Sequence, residues 1–227
     1  MLVLASGVAL AVDRIGTNGP DTLRGTKGAD SLLGKGGNDA LFGLAGRDNL
    51  LGGEGKDWVL GGNEQRPLGG DKQLVGGPGN DGVQGGEGSD NVLGGSGNDL
   101  VTGGRGSDSL VGEEGRDLVD GGPGSDRLAG GDGSDLLVDG PFEEISRDIL
   151  SGGDGDDAFF ADNRPATRDV VTCGPGFDRV AADAKDVVAS DCEQVRRGPN
   201  AGERLDTYLA RSGFYDEFFG GLTPFPG

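Results

Sequence analysis

Residues 75–137 read VGGPGNDGV, QGGEGSDNV, LGGSGNDLV, TGGRGSDSL, VGEEGRDLV, DGGPGSDRL and AGGDGSDLL, seven units of nine residues with no gap between them. Every unit has Gly at positions two and five, Asp at position seven and Val or Leu at position nine. Position three is also Gly, except at Glu113. A fixed short period of this kind is typical of a repeat protein in which each unit stacks on another.

The same frame continues on both sides of this stretch. Four more units fill residues 24–59, and single units occupy residues 151–159 and 172–180. The intervening insertions carry the sequences NEQRPL, PFEEIS and NRPATR. Insertions that fall between units are expected to form surface loops on a stacked scaffold.

Each unit has an aliphatic half and a glycine-rich half. One constant aliphatic between variable neighbours is the period-two pattern of a short strand with one face buried. We expect the glycine-rich half to reverse the chain, because glycine adopts positive φ at little steric cost. Two units then make one coil of about 18 residues, and successive coils stack at the parallel-strand spacing of about 4.8 Å. The sequence therefore predicts an all-β parallel solenoid.

Stacking in this way places aspartates 18 residues apart directly above one another. One edge of the coil would carry Asp81, Asp99, Asp117 and Asp135, and the other Asp90, Asp108 and Asp126. Carboxylates about 5 Å apart repel one another, and divalent cations between them would reverse the sign of that interaction. Calcium fits best because it accepts carboxylates mixed with main-chain carbonyls, whereas magnesium needs a tighter octahedron and transition metals favour nitrogen or sulfur ligands.

Composition narrows the function classes. The 227 residues include 50 glycines, and 39 acidic against 20 basic residues give a net charge of −19. Such a charge opposes compaction unless something neutralises it, and it offers no basic face for nucleic acid. The chain has no histidine, which excludes imidazole metal sites and nucleophilic sites with a histidine base. No apolar run is long enough to span a membrane.

The two ends of the chain differ from the repeats. The start, MLVLASGVALAVDR, resembles the apolar region and cleavage site of a secretory signal, and we predict a truncated signal peptide over residues 1–11; a buried strand is the alternative. Cys173 and Cys192 are the only cysteines, and with a secretory start they favour a disulfide over two buried thiols. Residues 181–197 keep short valine strands and are predicted to cap the coil. Residues 198–227 are an aromatic-rich tail, which we predict to be a docking segment or disordered; a C-terminal secretion signal is the alternative.

The unit GGxGxD followed by an aliphatic resembles the RTX, or hemolysin-type, calcium-binding nonapeptide repeat. That resemblance, over roughly residues 12–180, implies a right-handed parallel β-roll with calcium ions between adjacent turns, in a secreted bacterial protein. It implies carboxylate ligands at Asp30, Asp39, Asp48, Asp57, Asp81, Asp90, Asp99, Asp108, Asp117, Asp126, Asp135 and Asp157, and backbone oxygens near Gly76, Gly85, Gly94, Gly103, Gly121 and Gly130. In four units position three is not glycine, and calcium binding by those units is in question. The residues at position three are Thr26, Lys35, Leu44 and Glu113. If no calcium binds, these aspartates would only cap turns by Asx hydrogen bonds.

Three functions fit this pattern. We expect an extracellular calcium-binding repeat protein without catalysis, whose folding depends on the metal and whose macromolecular partner is unknown. An adhesive or surface-binding module is the first alternative, although the outward residues Asn91, Leu100, Ser109, Leu118 and Arg127 form no uniform column. An accessory part of a secreted hydrolase or toxin is the second, although the repeats leave no room for a catalytic domain and no HExxH or GxSxG motif is present.

Overall fold

The computed structural model describes residues 11–63, 73–140, 146–161 and 166–197. Over these residues the chain forms twenty short strands and no helix. Consecutive strands alternate between two ten-stranded sheets, so that each pair of strands completes one coil. The predicted all-β parallel β-roll is confirmed. The predicted signal segment falls almost entirely, and the aromatic tail wholly, outside the described residues.

The odd-numbered strands form one sheet, here named sheet A. Its strands are, in spatial order, β1 (Asp13–Ile15), β3 (Ser31–Gly36), β5 (Asn49–Glu54), β7 (Gln73–Pro78), β9 (Asn91–Ser96), β11 (Ser109–Glu114), β13 (Arg127–Asp132), β15 (Ile149–Asp154), β17 (Val170–Thr172) and β19 (Val187–Val188).

The even-numbered strands form sheet B on the other side of the coil. Its strands are β2 (Thr22–Arg24), β4 (Ala40–Leu44), β6 (Trp58–Asn63), β8 (Gly82–Glu87), β10 (Leu100–Arg105), β12 (Leu118–Asp120), β14 (Leu136–Val138), β16 (Ala158–Ala161), β18 (Arg179–Ala182) and β20 (Gln194–Arg197).

All strand pairs are parallel and keep the repeat in register. Leu100 pairs with Leu118, and the backbone hydrogen bonds between aspartates of adjacent coils join residues 18 apart. The step grows to 24 residues between Asp57 and Asp81 and to 22 between Asp135 and Asp157, where the sequence carries insertions. Residues 181–197, predicted as a cap, extend both sheets by further parallel pairing. Each insertion is therefore accommodated without a change of register.

The core is one row of aliphatic side chains along each sheet. The residue at unit position nine is buried while its neighbours along the strand point outward, as in the buried Val92 between Asn91 and Leu93 of β9. The rows contain Leu32, Leu41, Leu50, Val59, Leu74, Val83, Val92, Val101, Leu110, Val119, Leu128, Leu137, Leu150, Phe159, Val171 and Val180. A core one side chain wide on each sheet supplies little apolar burial per residue.

The glycines at positions two and three lie in the strands, not in the turn predicted for them from the sequence. Gly94 and Gly95 are still part of β9, and the chain reverses only over residues 97–99. Gly97 has φ of +131°, and a Cβ there would lie 1.4 Å from the carbonyl oxygen of Gly79 in the preceding coil. Position five therefore needs glycine both for its positive φ and for the close approach of the preceding coil. The glycines at position three also have positive φ and contact the preceding coil, whereas those at position two are needed for contacts only.

Candidate metal centre

The aspartates at unit position seven form two buried rows, one along each edge of the coil. Within a row, the backbone N–H of each aspartate donates to Oδ1 of the aspartate one coil further on, as from Asp81 to Asp99 at 2.8 Å. The first row contains Asp21, Asp39, Asp57, Asp81, Asp99, Asp117, Asp135, Asp157 and Asp178. The second contains Asp30 and Asp48, then Asp90, Asp108, Asp126, Asp148, Asp169 and Asp186. The structure thus brings together the aspartates predicted to stack.

In nine of these side chains the second carboxylate oxygen is buried and accepts no hydrogen bond. Asp81, Asp99 and Asp117 are at most 1 % exposed, and Oδ2 of each accepts no hydrogen bond. The same holds for Oδ2 of Asp39, Asp57, Asp108, Asp135, Asp157 and Asp178. An ionised oxygen buried in this way costs several kcal/mol unless a cation or a proton compensates it.

Burial governs the acidity of the rows. Desolvation raises the pKa of Asp99 and Asp117 to about 7, and the neighbouring carboxylates in the row add to the shift. The pKa of Asp108 in the other row is also raised to about 7 by burial. Hydrogen bonds from the backbone oppose these shifts but do not cancel them. Without a cation, each row therefore favours protonated carboxyl groups near neutral pH.

Main-chain oxygens converge on the same places as the unpartnered carboxylate oxygens. A Cβ built on Gly76 would lie 2.6 Å from Asp81 Oδ2 and 2.6 Å from the carbonyl oxygen of Gly94. At Gly103 the corresponding neighbours are Asp108 Oδ2 and the carbonyl oxygen of Gly121, at 2.5 and 2.6 Å. Glycine at position two thus leaves space at which a carboxylate oxygen and a carbonyl oxygen from adjacent coils meet.

The predicted glycines take part in this arrangement in two ways. Carbonyl oxygens next to an aspartate Oδ2 come from Gly76, Gly94, Gly103, Gly121 and Gly130. Gly85 contributes differently: because it has no side chain, it leaves room for Asp90 Oδ2 and the carbonyl oxygen of Gly103. Sequence reasoning missed Gly112, because its unit contains Glu113, yet its carbonyl oxygen lies beside Asp99 Oδ2.

The residue at position three decides whether the aspartate is capped by its own turn. Thr26 does not adopt positive φ, and its N–H and Oγ donate to Asp30 Oδ2, as expected for an Asx-type cap. Lys35 and Glu113 instead have φ of +87° and +84°, as the glycines at this position do, and Oδ2 of Asp39 and Asp117 stays unpartnered. Lys35 and Glu113 therefore keep the arrangement that Thr26 abolishes.

A further carboxylate cluster lies near the C-terminal end of the second row. Oxygens of the buried Asp139, Asp148 and Asp169 lie within 4.8 Å of one another. Asp139 occupies the place that a glycine at position two takes in the other coils, because its carbonyl oxygen lies against Gly121 of the preceding coil. Sequence reasoning missed Asp139 because the insertion after it breaks the nonapeptide frame. Ser146 donates to Asp148 Oδ2, which fixes that side chain.

The oxygen sites fit a hard divalent cation. The oxygens that meet at each gap are carboxylate and carbonyl oxygens from two coils, a mixture that calcium accepts in irregular geometry. An ion there would supply the positive charge that the unpartnered Oδ2 atoms lack. The residues present therefore fit calcium.

The two cysteines lie at the C-terminal end of the coil. Cys173 and Cys192 are joined by a disulfide with an S–S distance of 2.03 Å, across a sequence separation of 19 residues. Cys173 is buried within the aliphatic core. The bridge connects the last nonapeptide unit to the segment predicted as a cap.

Comparison with known proteins identifies the repeat. In the described part of the chain, no helix is long and apolar enough to cross a membrane. No curated protein matches the chain. The profile of the RTX calcium-binding nonapeptide repeat matches residues 15–50, 33–64, 69–101, 102–137 and 146–163, which together cover more than half of the sequence. With its stacked turns and its two rows of buried aspartates, the chain belongs to the RTX calcium-binding nonapeptide repeat family.

Proposed function

We propose that this protein is an extracellular calcium-binding repeat protein in which metal binding and folding are one event. The RTX β-roll is a structural calcium-binding module, and proteins of this family are typically extracellular. We propose that calcium ions lie between adjacent turns along both edges and that the protein has no catalytic activity of its own.

The observation that carries this proposal is the buried, unpartnered Oδ2 of the stacked aspartates. In the second row, Asp108 Oδ2 has no hydrogen-bond donor and lies next to a glycine carbonyl oxygen of the following coil. A purely structural Asx cap would satisfy that oxygen, as happens at Asp30. The capped Asp30 is therefore the weakest of the proposed carboxylate ligands, and those from Asp39 onward are stronger.

The proposed ligands follow from these positions. We assign the carboxylates of Asp39, Asp48, Asp57, Asp81, Asp90, Asp99, Asp108, Asp117, Asp126, Asp135 and Asp157, with carbonyl oxygens of Gly76, Gly94, Gly103, Gly121 and Gly130. The carbonyl of Gly112 joins this set because it occupies the same place in the coil. Calcium bound there neutralises the rows and crosslinks adjacent coils.

Coupling of binding to folding follows from charge and composition. A chain with a net charge of −19 and 50 glycines loses more backbone entropy on folding than an average sequence does, and its core is thin. A ligand that binds only the folded coil adds its binding free energy to the stability of that coil. We therefore expect calcium to supply the stability that the aliphatic rows do not.

Export fits the same proposal. The apolar N-terminal segment and the Cys173–Cys192 bridge are typical of proteins that fold in an oxidising compartment, where calcium is abundant. Mass spectrometry of natively exported protein, with and without reductant, tests the bridge. Two alkylatable thiols in the unreduced protein would contradict it.

Native mass spectrometry tests the calcium proposal directly. The chain is stripped of metal and measured at pH 7.5 with calcium or with magnesium at equal concentration. We expect several calcium ions to stay bound and magnesium to bind weakly, because magnesium dehydrates reluctantly and requires octahedral geometry. A chain that retains its metal-free mass in calcium, or that binds both ions equally, would contradict the assignment.

A further inference from the structure

The outer face of sheet B carries a second apolar cluster, separate from the core. Leu136 and Val138 flank the inward-pointing Leu137 of β14, and they therefore point away from the core. They pack with Ala158, Phe160 and Ala181 on the next two strands, and Leu100 and Leu118 lie against the cluster. We name this set the outer patch.

The outer patch is buried although it faces outward. Leu136 and Ala158 are 1 % and 3 % exposed, and Phe160 is 8 % exposed. The matching positions of sheet A in the same coils are open, since Ile149 is 43 % exposed and Val187 is 42 % exposed. The two sheets therefore differ at this end of the solenoid: the outer face is covered on sheet B and bare on sheet A.

We propose that the C-terminal tail, residues 198–227, packs across the outer patch. The tail follows directly on β20, which is the last strand of sheet B. β20 and β14 are separated by three strand spacings in sheet B, or about 15 Å at the parallel-strand repeat. Thirty residues span that distance easily, even in helical form at about 1.5 Å per residue.

The sequence of the tail suits a helix lying on an apolar sheet face. Within residues 205–209 and 215–222, apolar residues recur at intervals of three and four, which is the spacing of one side of a helix. These are Leu205, Tyr208 and Leu209, then Tyr215, Phe218, Phe219 and Leu222, with Gly213 and Phe214 between the two groups. The charged residues Glu203, Asp206 and Glu217 fall on the opposite side. A helix that buries such a side on a sheet is the usual partner of an apolar sheet face.

The other segments close to the patch in sequence are the insertions at residues 141–145 and 162–165. They contain five and four residues, with one aromatic side chain, Phe142. The patch extends over five strands, from Leu100 on β10 to Ala181 on β18, or about 19 Å at the parallel-strand repeat. Each insertion is too short to cover that length, and the tail is not. This inference concerns packing and does not depend on the number of calcium ions bound.

Photo-crosslinking on the full chain locates the tail. The photoreactive residue p-benzoylphenylalanine replaces Phe218, and the products are digested and mapped by mass spectrometry, in a buffer in which the chain shows its folded β spectrum. We expect intramolecular crosslinks to peptides that contain residues 136–138, 158–161 or 179–182. Crosslinks to sheet A, to a second copy or to either insertion alone, or no crosslink at all, would overturn the proposal.

A matched pair of variants tests whether the outer patch holds the tail. Ala158→Arg places a charge in the patch, and Ile149→Arg places the same charge at the equivalent position of sheet A. In the wild type and in Ile149→Arg, hydrogen exchange of residues 203–219 should be at least tenfold slower than in an unstructured peptide of the same sequence. In Ala158→Arg it should be as fast as in that peptide. Amides of β9–β12 serve as the internal control for folding. Equal protection in both variants, or an unprotected tail in the wild type, would refute docking on this face.

Discussion

Protons should replace calcium in holding the coil together. In the metal-free folded chain, burial raises the pKa of Asp81, Asp99 and Asp117 from 3.8 to about 7. Because the folded-state pKa lies above the unfolded value, the contribution of each group is fully present below pH 3.8 and is lost as the pH rises through 7. We therefore predict that the metal-free chain gains β structure as the pH falls from 8 to 5.

The size of the effect follows from the same values. A shift from 3.8 to about 7 corresponds to about 4 kcal/mol per carboxyl group at pH 8. Several such groups in one row therefore oppose folding by an amount comparable with the total stability of a typical domain, about 5–15 kcal/mol. At pH 5 each group opposes folding by only about 2 kcal/mol, because the folded form keeps its proton while the unfolded form is ionised. The transition should therefore be large enough to see in a spectrum.

Far-UV circular dichroism of metal-stripped protein provides the assay. The titration runs from pH 8.5 down to 5.0, so that it stays above the isoelectric point near 4.2 and avoids precipitation. We expect a disordered spectrum at pH 8.5 and a β spectrum at pH 5.0, with a midpoint between 5 and 7. A metal-free chain whose β content does not rise over this range would refute the reasoning from buried carboxyl groups.

Two pairs of substitutions test the stacking and the ligands. Gly97→Ala should destabilise the calcium-loaded coil by at least about 2 kcal/mol in urea unfolding, because the new Cβ would collide with Gly79 O and positive φ is unfavourable for alanine. Gly36→Ala is the control: its Cβ would have no neighbouring atom nearer than 3.8 Å, and it should change stability by less than about 1 kcal/mol. Equal losses in the two would contradict the close approach between coils. Asp99→Asn keeps the acceptor for the Asp81 N–H but removes the charge, and it should lower the calcium count in native mass spectra by at least one and raise the calcium midpoint about tenfold. The exposed Asp132→Asn should leave both unchanged, and a normal count in Asp99→Asn would exclude that carboxylate as a ligand.

Much of the fold is predictable from the nonapeptide period. The spacing of the aliphatic residue fixes which side of each strand is buried, and a coil of two units places Asp99 below Asp117. The period cannot show how the two oxygens of one carboxylate differ. Oδ1 is taken by a backbone N–H of the neighbouring coil and Oδ2 is not, and this distinction depends on main-chain geometry between residues 18 apart.

Departures from the consensus were harder to interpret from sequence. A lysine or glutamate at position three suggested a weakened site, yet Lys35 and Glu113 adopt the positive φ that the coil imposes. Leu44 does the same, with φ of +82°. Tertiary stacking thus overrides the local preference at these three residues but not at Thr26, whose hydroxyl and N–H cap its own aspartate. The carboxylate of Asp139 and the outer patch could not be predicted, because they arise where insertions interrupt the frame.

The most direct test is a calcium titration of metal-stripped protein at pH 8, followed by circular dichroism and sedimentation velocity and reversed with chelator. Calcium-coupled folding predicts an expanded, disordered chain without the ion and a compact β-rich chain with it, with full reversal on chelation. A compact, cooperatively unfolding β structure in metal-free buffer at pH 8 would contradict the claim that calcium stabilises the buried aspartate rows.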